Sequence, residues 1–247
     1  MREGLVTVKT PVNLPSSIQG KPQFSPKSGA LVIGVNTTTG DPAEITLREK
    51  SGMILAGKPG SGKTFALKAI RHALHPYADI AVFDGKRTRP EDFYDKARKI
   101  QSGMEKRLNN GLDYWTEDET NRPKLLVLIL DEVQRWFSPE SRSKPDKESA
   151  QIREALIRDL IQRGRSAGVL VILTTQRMTA DVVPTGIRDL CGVKAIGRAT
   201  RPEDAELVLG IRPGEGDPSP ISASPGQLVV DDEKSPLRMI QVYMPKS

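Results

Sequence analysis

The sequence predicts an α/β fold in which helices flank a mostly parallel central sheet. Short, almost wholly apolar runs recur along the chain, as expected of parallel strands that are covered on both faces. Segments with helical spacing of apolar residues lie between these runs, and polar residues follow the ends of several of them. The runs span residues 53–56, 80–83, 125–130, 168–173 and 193–196.

The first residues differ in composition from the rest of the chain. Residues 1–29 are rich in Pro, Ser, Gly and Lys and show no sustained period, so we expect an arm or linker with one short edge strand at residues 5–8. Residues 30–247 are expected to form a single domain, since a chain of 247 residues can bury one substantial core.

Two pairs of shorter apolar segments predict peripheral β-hairpins. Residues 30–35 and 43–47 flank a Thr-Gly-Asp-Pro turn. Residues 226–230 and 237–243 flank a second polar turn in the same way.

Three further segments have the spacing of amphipathic helices, and two polar segments are expected to be loops. The helices are expected at residues 91–110, 150–163 and 202–209. Gly164 is expected to end the second of them. Residues 113–123 are expected to form a polar loop, and residues 138–149, which contain no apolar side chain, a mobile one.

One loop matches the phosphate-binding pattern G-x-x-x-x-G-K-[ST], between the run at residues 53–56 and a helical pattern that starts at Phe65. It consists of Gly57, Lys58, Pro59, Gly60, Ser61, Gly62, Lys63 and Thr64. Glycines let successive N–H groups point at a phosphate, and the helix adds the positive end of its dipole. The pattern predicts a nucleotide site with Lys63 on the outer phosphates and Thr64 on Mg²⁺, the alternative being a glycine-rich turn without a ligand.

A pair of carboxylates follows the apolar run at residues 125–130. Asp131, at a strand tip beside the phosphate loop, fits a ligand of Mg²⁺. Glu132 is placed to orient and deprotonate a water that attacks the γ-phosphate. The alternative for an acidic pair after a strand is a helix cap, but the phosphate loop upstream favours the catalytic interpretation.

Polar residues also end the strand predicted at residues 168–173. Gln176 is placed there to sense the γ-phosphate and to report its loss to the loop that follows. Because ligands bind at the carboxyl edge of open parallel sheets, we expect Gln176 to lie near the phosphate loop and the carboxylates.

The composition bounds the partners and the location of the protein. A net charge of +6 and an isoelectric point near 9.4 favour an anionic partner, although such a surplus also serves solubility. Cys191 is the single cysteine and is expected to lie in the core. His72 and His75 have no third metal ligand near them in the sequence, so we expect surface or capping roles for both histidines. No stretch is long enough to cross a bilayer and no signal peptide is evident, so we expect a cytoplasmic protein.

The most specific pattern is Arg-Gly-Arg-Ser-Ala-Gly at residues 163–168, followed by an apolar strand and Thr-Gln-Arg at residues 175–177. Together with the phosphate loop, the strand ending in Asp131 and Glu132, and the segments after Gln176, it resembles the FtsK/SpoIIIE family of DNA translocases from about residue 30 onward. The phosphate loop alone is shared by many NTPases.

The resemblance implies a RecA-like P-loop NTPase core that hydrolyses ATP with Mg²⁺. It further implies a homo-oligomeric, hexameric ring with double-stranded DNA threaded through the pore. Lys63 and Thr64 match the family's nucleotide-binding pair, Asp131 and Glu132 its magnesium and catalytic acids, and Gln176 its polar sensor.

Three arginines also match basic positions of the family. Arg165 and Arg198 stand where a neighbouring subunit's ATP can be reached, and which of them is the arginine finger is left open. Arg188 lies where the family places a basic pore loop that touches the DNA backbone.

The sequence lacks the membrane spans and the winged-helix domain of the family's chromosomal members. We therefore expect a minimal motor domain, similar to the DNA-transfer proteins of actinobacterial plasmids, integrative elements or phages. Membrane or DNA-transfer proteins are then candidate partners.

The leading functional hypothesis is an ATP-driven translocase on double-stranded DNA. The alternative is a coupling or assembly ATPase that recruits a protein substrate to a secretion or conjugation channel. A P-loop kinase or GTPase is disfavoured, because the sequence has no Asn-Lys-x-Asp guanine motif and because the acidic pair suits attack by water.

Overall fold

A computed structural model describes residues 18–244, except residues 86, 89, 178, 180 and 181, and gives the backbone alone for residues 90 and 91. The edge strand predicted at residues 5–8 lies outside this part of the chain. The described strands join into one mixed sheet. They are β1 (Ile18–Gln19), β2 (Gln23–Ser25), β3 (Ala30–Asn36), β4 (Pro42–Thr46), β5 (Gly52–Ala56), β6 (Ala78–Asp84), β7 (Leu125–Asp131), β8 (Val169–Thr175), β9 (Val193–Ile196), β10 (Gln227–Asp231) and β11 (Arg238–Met244).

Helices connect the parallel strands, as the alternation of the sequence predicts. They are α1 (Lys63–Leu74), α2 (Pro90–Asn109), α3 (Gln134–Phe137), α4 (Lys144–Ala167), α5 (Thr185–Arg188) and α6 (Pro202–Leu209), with a 3₁₀ turn at His75–Tyr77. The apolar side of α1 packs on one face of the sheet, and those of α2 and α4 pack on the other. The predicted α/β fold class is confirmed.

The parallel half of the sheet brings the carboxyl ends of its strands to one edge. Its strand order is β9-β5-β8-β7-β6. Ala56 at the end of β5 lies opposite Thr175 on β8, and Asp84 at the end of β6 lies opposite Asp131 on β7. The phosphate loop and the acidic pair therefore emerge from the same edge of the sheet.

The two predicted hairpins are present and continue the sheet beyond β9. Strand β10 pairs antiparallel with β9, and β11 pairs antiparallel with both β10 and β3. Strand β4 completes the first hairpin on β3. Within the segment predicted as an arm, β1 pairs with β11 and β2 pairs with β3.

Helix α4 is longer at both ends than the helix predicted at residues 150–163, so the loop predicted at residues 138–149 is wrong over its second half. The helix begins after Ser143, whose side chain accepts a hydrogen bond from the backbone N–H of Asp146. It ends at Gly168, which has a φ of 68°, and not at Gly164. The early turns are exposed to solvent and carry no apolar stripe, which explains why the hydrophobic period misses them.

The segment predicted as a polar loop at residues 113–123 carries two buried aromatic side chains. Tyr114 is 1% exposed and Trp115 is 4% exposed. The Trp115 indole donates to the carbonyl of Arg165 at 3.1 Å, and the Tyr114 backbone N–H donates to the carbonyl of Ser166 at 2.7 Å. The segment therefore packs against the end of α4 as part of the core.

The remaining expectations from composition concern isolated residues. Cys191 is fully buried, and burial raises the pKa of its thiol to about 12, so the thiol stays protonated at neutral pH. His72 and His75 are both exposed on the surface near the end of α1. Among the helices in the described part of the chain, none is long and apolar enough to span a membrane.

Candidate active site

The phosphate loop connects β5 to α1 through backbone conformations that favour glycine. Gly62 is the N-cap of α1 and has a φ of 92°. A Cβ at this position would lie 2.5 Å from the backbone nitrogen of Gly226, so both the conformation and the space require glycine. The loop leads directly into the amino end of α1, where free N–H groups and the helix dipole favour a phosphate.

Backbone hydrogen bonds hold the phosphate loop between two neighbouring turns. The N–H of Lys58 donates to the carbonyl of Arg198 at 3.3 Å, and the N–H of Gly226 donates to the carbonyl of Ser61 at 2.8 Å. The Ser61 side chain is buried, and a Cβ at Gly57 would lie 2.5 Å from its hydroxyl. The loop is thus preformed, because its curvature is fixed from both sides.

Lys63 joins the phosphate loop to the predicted carboxylates. Its side chain is 7% exposed, and its Nζ lies 3.3 Å from Asp131 Oδ1 and 3.4 Å from Glu132 Oε1. The same ammonium donates to Thr174 Oγ1 at 3.3 Å. A buried cation between two carboxylates is well compensated, and each of the three groups can exchange this contact for a phosphate, a metal ion or a water.

The turn after β7 fixes the two carboxylates in different environments. Glu132 is 7% exposed, has a φ of 56°, and accepts a hydrogen bond from Gln134 Nε2 at 3.2 Å. Asp131 is 34% exposed and accepts a hydrogen bond from the Thr174 hydroxyl. The buried carboxylate suits a base that is held in one orientation, and the more open one suits a metal ligand.

The cluster also contains Thr174 and Gln134, for which the sequence predicts no function. Thr174 contacts both Lys63 and Asp131, and Gln134 contacts Glu132. The available signal is a hydroxyl at the end of the apolar strand β8. Its alignment with Asp131 depends on the pairing of β7 with β8, which the sequence does not specify.

A cleft of about 270 Å³ opens beside the phosphate loop. Gln176, half-buried just beyond β8, lines this cleft together with residues of the loop. The other lining residues are Lys58, Pro59, Gly60, Gly62, Lys63, Thr64, Phe65, Pro225, Gly226 and Met244. Gln176 therefore lies at the carboxyl edge, next to the phosphate loop, and its role as a sensor of the γ-phosphate stays a prediction.

The oxygen donors of the site fit Mg²⁺, which prefers carboxylate, hydroxyl and water ligands. Thr64 is exposed in the first turn of α1 and lines the cleft, and Asp131 lies beside Lys63. Within the described residues, no group of three or more His, Cys, Asp and Glu side chains is arranged to hold a metal. A metal at this site would be held by Thr64 and Asp131 together with phosphate oxygens of the nucleotide and water.

The two candidate finger arginines lie at opposite edges of the sheet. Arg198 follows β9, is exposed, and accepts a backbone hydrogen bond from Lys58, which places it beside its own phosphate loop. Arg165 lies in the last turn of α4, next to the start of β8 and so at the amino edge. Arg165 is therefore remote from its own phosphate loop. The choice between the two stays a prediction.

Arg188, predicted to touch DNA, is largely covered in this structure. Its side chain is 18% exposed, and its guanidinium donates to the carbonyl of Leu207 at 3.1 Å. This bond holds the end of α5 against α6. Little of the guanidinium is open to a DNA phosphate in this conformation, and the assignment stays a prediction.

A preformed phosphate loop, a lysine at its end and two carboxylates at the next strand tip define a P-loop nucleoside triphosphatase. The family model of the ATPase family associated with various cellular activities (AAA) matches residues 53–195, more than half of the chain. The chain belongs to this family. No curated protein sequence matches it.

Solved structures with the same fold include a conjugation coupling protein and a secretion ATPase. The pCW3 conjugation coupling protein TcpA, in its monomer form with ATPγS, is 18% identical, has a TM-score of 0.75, and matches 94% of this chain and 70% of its own. The cytoplasmic domain of the Thermomonospora curvata type VII secretion ATPase EccC is 17% identical, with a TM-score of 0.64 over 95% of this chain. EssC (ATPases 2 and 3) from Geobacillus thermodenitrificans is 16% identical, with a TM-score of 0.66 over 96% of this chain.

The match spans 31% of the EccC chain and 48% of the EssC chain, so this chain corresponds to one part of those proteins. At these identities the likeness concerns the fold. The predicted P-loop ATPase fold is confirmed on this basis.

Proposed function

We propose that this chain is an ATP-driven motor on double-stranded DNA. The observation that carries the ATPase part is the position of the Lys63 ammonium, 3.3 Å from Asp131 and 3.4 Å from Glu132 at the end of the phosphate loop. The net charge of +6 and the fold shared with a conjugation coupling protein support a DNA substrate.

Each group of the site has a separate task in ATP hydrolysis. Lys63 holds the outer phosphates, and Gln176 contacts the γ-phosphate from the edge of β8. Glu132, oriented by Gln134, accepts a proton from the attacking water. Thr64 and Asp131 would hold Mg²⁺, whose charge offsets the charge that develops on the phosphoryl oxygens.

The proposed assembly is a homo-oligomeric ring, in which one subunit completes the site of the next. Arg165 cannot serve its own nucleotide from the amino edge of the sheet, so any role in hydrolysis is at a neighbour's site. Arg198 is close enough to its own phosphate loop to act there or across an interface. Charge stabilisation by such a finger accelerates hydrolysis by about 10³-fold or more.

A coupling ATPase that recruits a protein substrate is the second candidate. The fold shared with EccC and EssC favours it, since EccC is a type VII secretion ATPase. This candidate uses the same ATP chemistry but differs in the partner that stimulates it.

The ATPase rate with and without duplex DNA distinguishes the two. A motor that grips phosphates is expected to hydrolyse ATP faster with any duplex sequence at low salt, and to lose the stimulation steeply as salt rises. A rate that responds to a substrate peptide and ignores DNA supports the coupling ATPase. Lys63→Ala, which removes the phosphate contact, is the control and is expected to abolish hydrolysis in both cases.

Ring formation is tested separately with Glu132→Gln. This variant retains the site's shape and slows hydrolysis, so that ATP and duplex DNA are expected to trap any ring for negative-stain imaging. Monomers alone under these conditions would contradict the proposed assembly.

A further inference from the structure

We propose that the solvent side of α1 is a binding surface for the backbone of double-stranded DNA, separate from the contact predicted for Arg188. The observation that carries it is a set of cations from three distant segments of the chain, which line two adjoining clefts that hold a single carboxylate. The proposal rests on the proposed function and goes further by naming a part of the chain that holds the DNA.

Two clefts run along the solvent side of α1. One, of about 830 Å³, lies at the carboxyl end of the helix, and the other, of about 690 Å³, adjoins it, since Lys68 and His72 line both. The charged and histidine side chains that line the two clefts are Lys21, Lys68, Arg71, His72, His75, Asp79 and Lys124. Four cations therefore accompany one carboxylate, before the two histidines are counted.

Helix α1 supplies the middle of this surface because its two sides differ in chemistry. Its apolar side chains are buried against the sheet. Arg71, His72 and His75 follow Lys68 at the spacing of one helical face, and all four side chains are exposed. At about 1.5 Å per residue the stripe from Lys68 to His75 is about 10 Å long. This is about the axial length of three phosphates on one strand of a duplex.

Two further cations reach the same surface from other parts of the chain. Lys21 lies between β1 and β2, and Lys124 directly precedes β7. Lys124 lies near the end of α1 because β7 pairs in parallel with β6, which follows that end of the helix. The negative end of a helix dipole attracts cations to the last turn, where Arg71 lies, but it does not account for Lys21, Lys68 or Lys124.

These cations are available to a partner. Lys21, Lys68 and Arg71 are exposed, and none of them forms an ion pair with another residue that the structure describes. Lys124 lies 3.8 Å from Asp79, but both side chains of this pair are more than half exposed. An exposed ion pair contributes little to stability, so a DNA phosphate can replace it at small cost.

The chemistry of the surface favours a duplex backbone over a membrane or a single strand. No exposed large apolar side chain lines either cleft, whereas a segment that lies in a membrane interface buries such side chains among the lipids. Single strands are held by exposed aromatic rings on which the bases stack, and the two clefts have none. Lysine and arginine donors suit phosphate oxygens, which carry no sequence information.

Helix α1 separates this surface from the catalytic groups. The helix begins at Lys63 in the phosphate loop, and its last turn carries Arg71 and His72. Its 12 residues span about 18 Å. The same helix thus carries the phosphate site at one end and most of the proposed DNA contact toward the other, so the two can be altered separately by substitution.

The test is fluorescence anisotropy of a labelled duplex of mixed sequence, titrated with the whole chain at several salt concentrations. Lys68→Gln combined with Arg71→Gln removes two phosphate contacts. This double variant is expected to bind about tenfold more weakly at low salt, and its log–log salt slope is expected to fall by about 2, since each contact releases about one counterion. Lys68→Arg combined with Arg71→Lys keeps both charges and is expected to retain the affinity and the slope.

Arg98→Gln combined with Lys99→Gln is the matched control. Both side chains are exposed on α2, which packs on the opposite face of the sheet, and neither forms an ion pair within the described residues. The control removes one arginine and one lysine, as the test variant does, so it changes the net charge equally. It is expected to leave the salt slope unchanged.

The proposal is overturned if the Lys68 and Arg71 double variant binds the duplex as tightly as the unmodified chain, or if the control loses as much affinity. It is also overturned if the unmodified chain binds vesicles of phosphatidylcholine and phosphatidylserine through these two residues and does not bind the duplex.

The ATPase rate separates this failure from failure of the proposed function. If duplex DNA stimulates hydrolysis by the unmodified chain while Lys68 and Arg71 prove dispensable for binding, the motor stands and the surface is wrong. If the unmodified chain neither binds duplex DNA nor responds to it, the proposed motor fails, and the surface with it.

Discussion

Replacing Thr174 with valine is expected to slow ATP hydrolysis strongly while leaving the fold intact. The Thr174 hydroxyl donates to Asp131 and accepts from the Lys63 ammonium at 3.3 Å, so it connects the magnesium ligand to the phosphate-binding lysine. Thr174 is fully buried, and valine has nearly the same shape without the hydroxyl. The substitution therefore removes two polar contacts without opening a cavity.

The size of the effect follows from the charges of the partners. A hydrogen bond to a charged group contributes about 1.5–3 kcal/mol. A loss of about 2 kcal/mol from the transition state corresponds to about a thirtyfold lower kcat/KM. The free energy of unfolding changes less, by about 1 kcal/mol or below, because water reaches the partly exposed carboxylate of Asp131 and replaces the lost donor.

The assay is steady-state hydrolysis over a range of Mg²⁺ concentrations, together with urea denaturation. Thr174→Val is expected to need more Mg²⁺ for half-maximal rate, since its Asp131 carboxylate is less well oriented. Thr174→Ser retains the hydroxyl and is expected to stay close to the unmodified chain. A Thr174→Val rate within about threefold of the unmodified rate at every Mg²⁺ concentration would refute this reasoning.

Three further outcomes are expected. Glu132→Gln should lower the hydrolysis rate by about 10³-fold while calorimetry shows nucleotide binding unchanged, because the amide cannot accept the proton of the attacking water. Arg238→Met should lower the free energy of unfolding by about 3–5 kcal/mol in urea titrations, because it strands the fully buried carboxylate of Asp232, which Arg238 holds at 2.8 Å. Gly168→Ala should cost about 2–4 kcal/mol of stability, because the residue has a φ of 68° and its Cβ would lie 2.2 Å from the Tyr114 ring.

The pair of Asp232 and Arg238 also gives the chain an acid-side pH dependence. Burial on its own raises the pKa of Asp232, but hydrogen bonds from Arg238 and from the backbone of Thr46 and Ser235 outweigh it and lower the pKa. A lowered pKa in the folded state stabilises the fold above the unfolded value of about 4, and this stabilisation is lost as the pH falls through the folded value. Asp232→Asn should flatten this part of the stability profile.

Three results would contradict the outcomes expected for Glu132, Arg238 and Gly168. An unchanged hydrolysis rate in Glu132→Gln would mean that Glu132 is not the catalytic base. A loss below about 1 kcal/mol in Arg238→Met would mean that solvent reaches Asp232. For Gly168→Ala, unchanged stability would mean that the Tyr114 ring has room to move. Gly111→Ala is the comparison, since Gly111 has a φ of 72° and its Cβ would meet no atom within 4 Å.

The sequence predicts the centre of the site well for a physical reason. The phosphate loop and the pair of Asp131 and Glu132 are both local patterns that follow apolar runs. Parallel strands share one carboxyl edge, so the two patterns meet without any knowledge of strand order. The strands themselves are recognisable because burial on both faces requires apolar residues throughout.

Two kinds of feature cannot be predicted from the sequence. Some depend on contacts between distant parts of the chain, and others are helical turns whose side chains face solvent and so show no hydrophobic period. The early turns of α4 are exposed to solvent, and the helix starts there because Ser143 caps it. Tyr114 is buried because it packs against the end of α4. Its neighbours in the sequence are mostly polar, so the sequence around it predicts a loop. The role of Thr174 depends on which strand lies beside β7.

The hydrogen bond from Gly226 to Ser61 joins an early segment of the chain to a late one. During synthesis the phosphate loop leaves the ribosome well before the turn that covers it. Since contacts between sequence-distant segments form late in folding, the wall of the cleft is completed only when the final hairpin has docked. A chain whose final hairpin has not docked therefore lacks the contact that fixes one side of its phosphate loop.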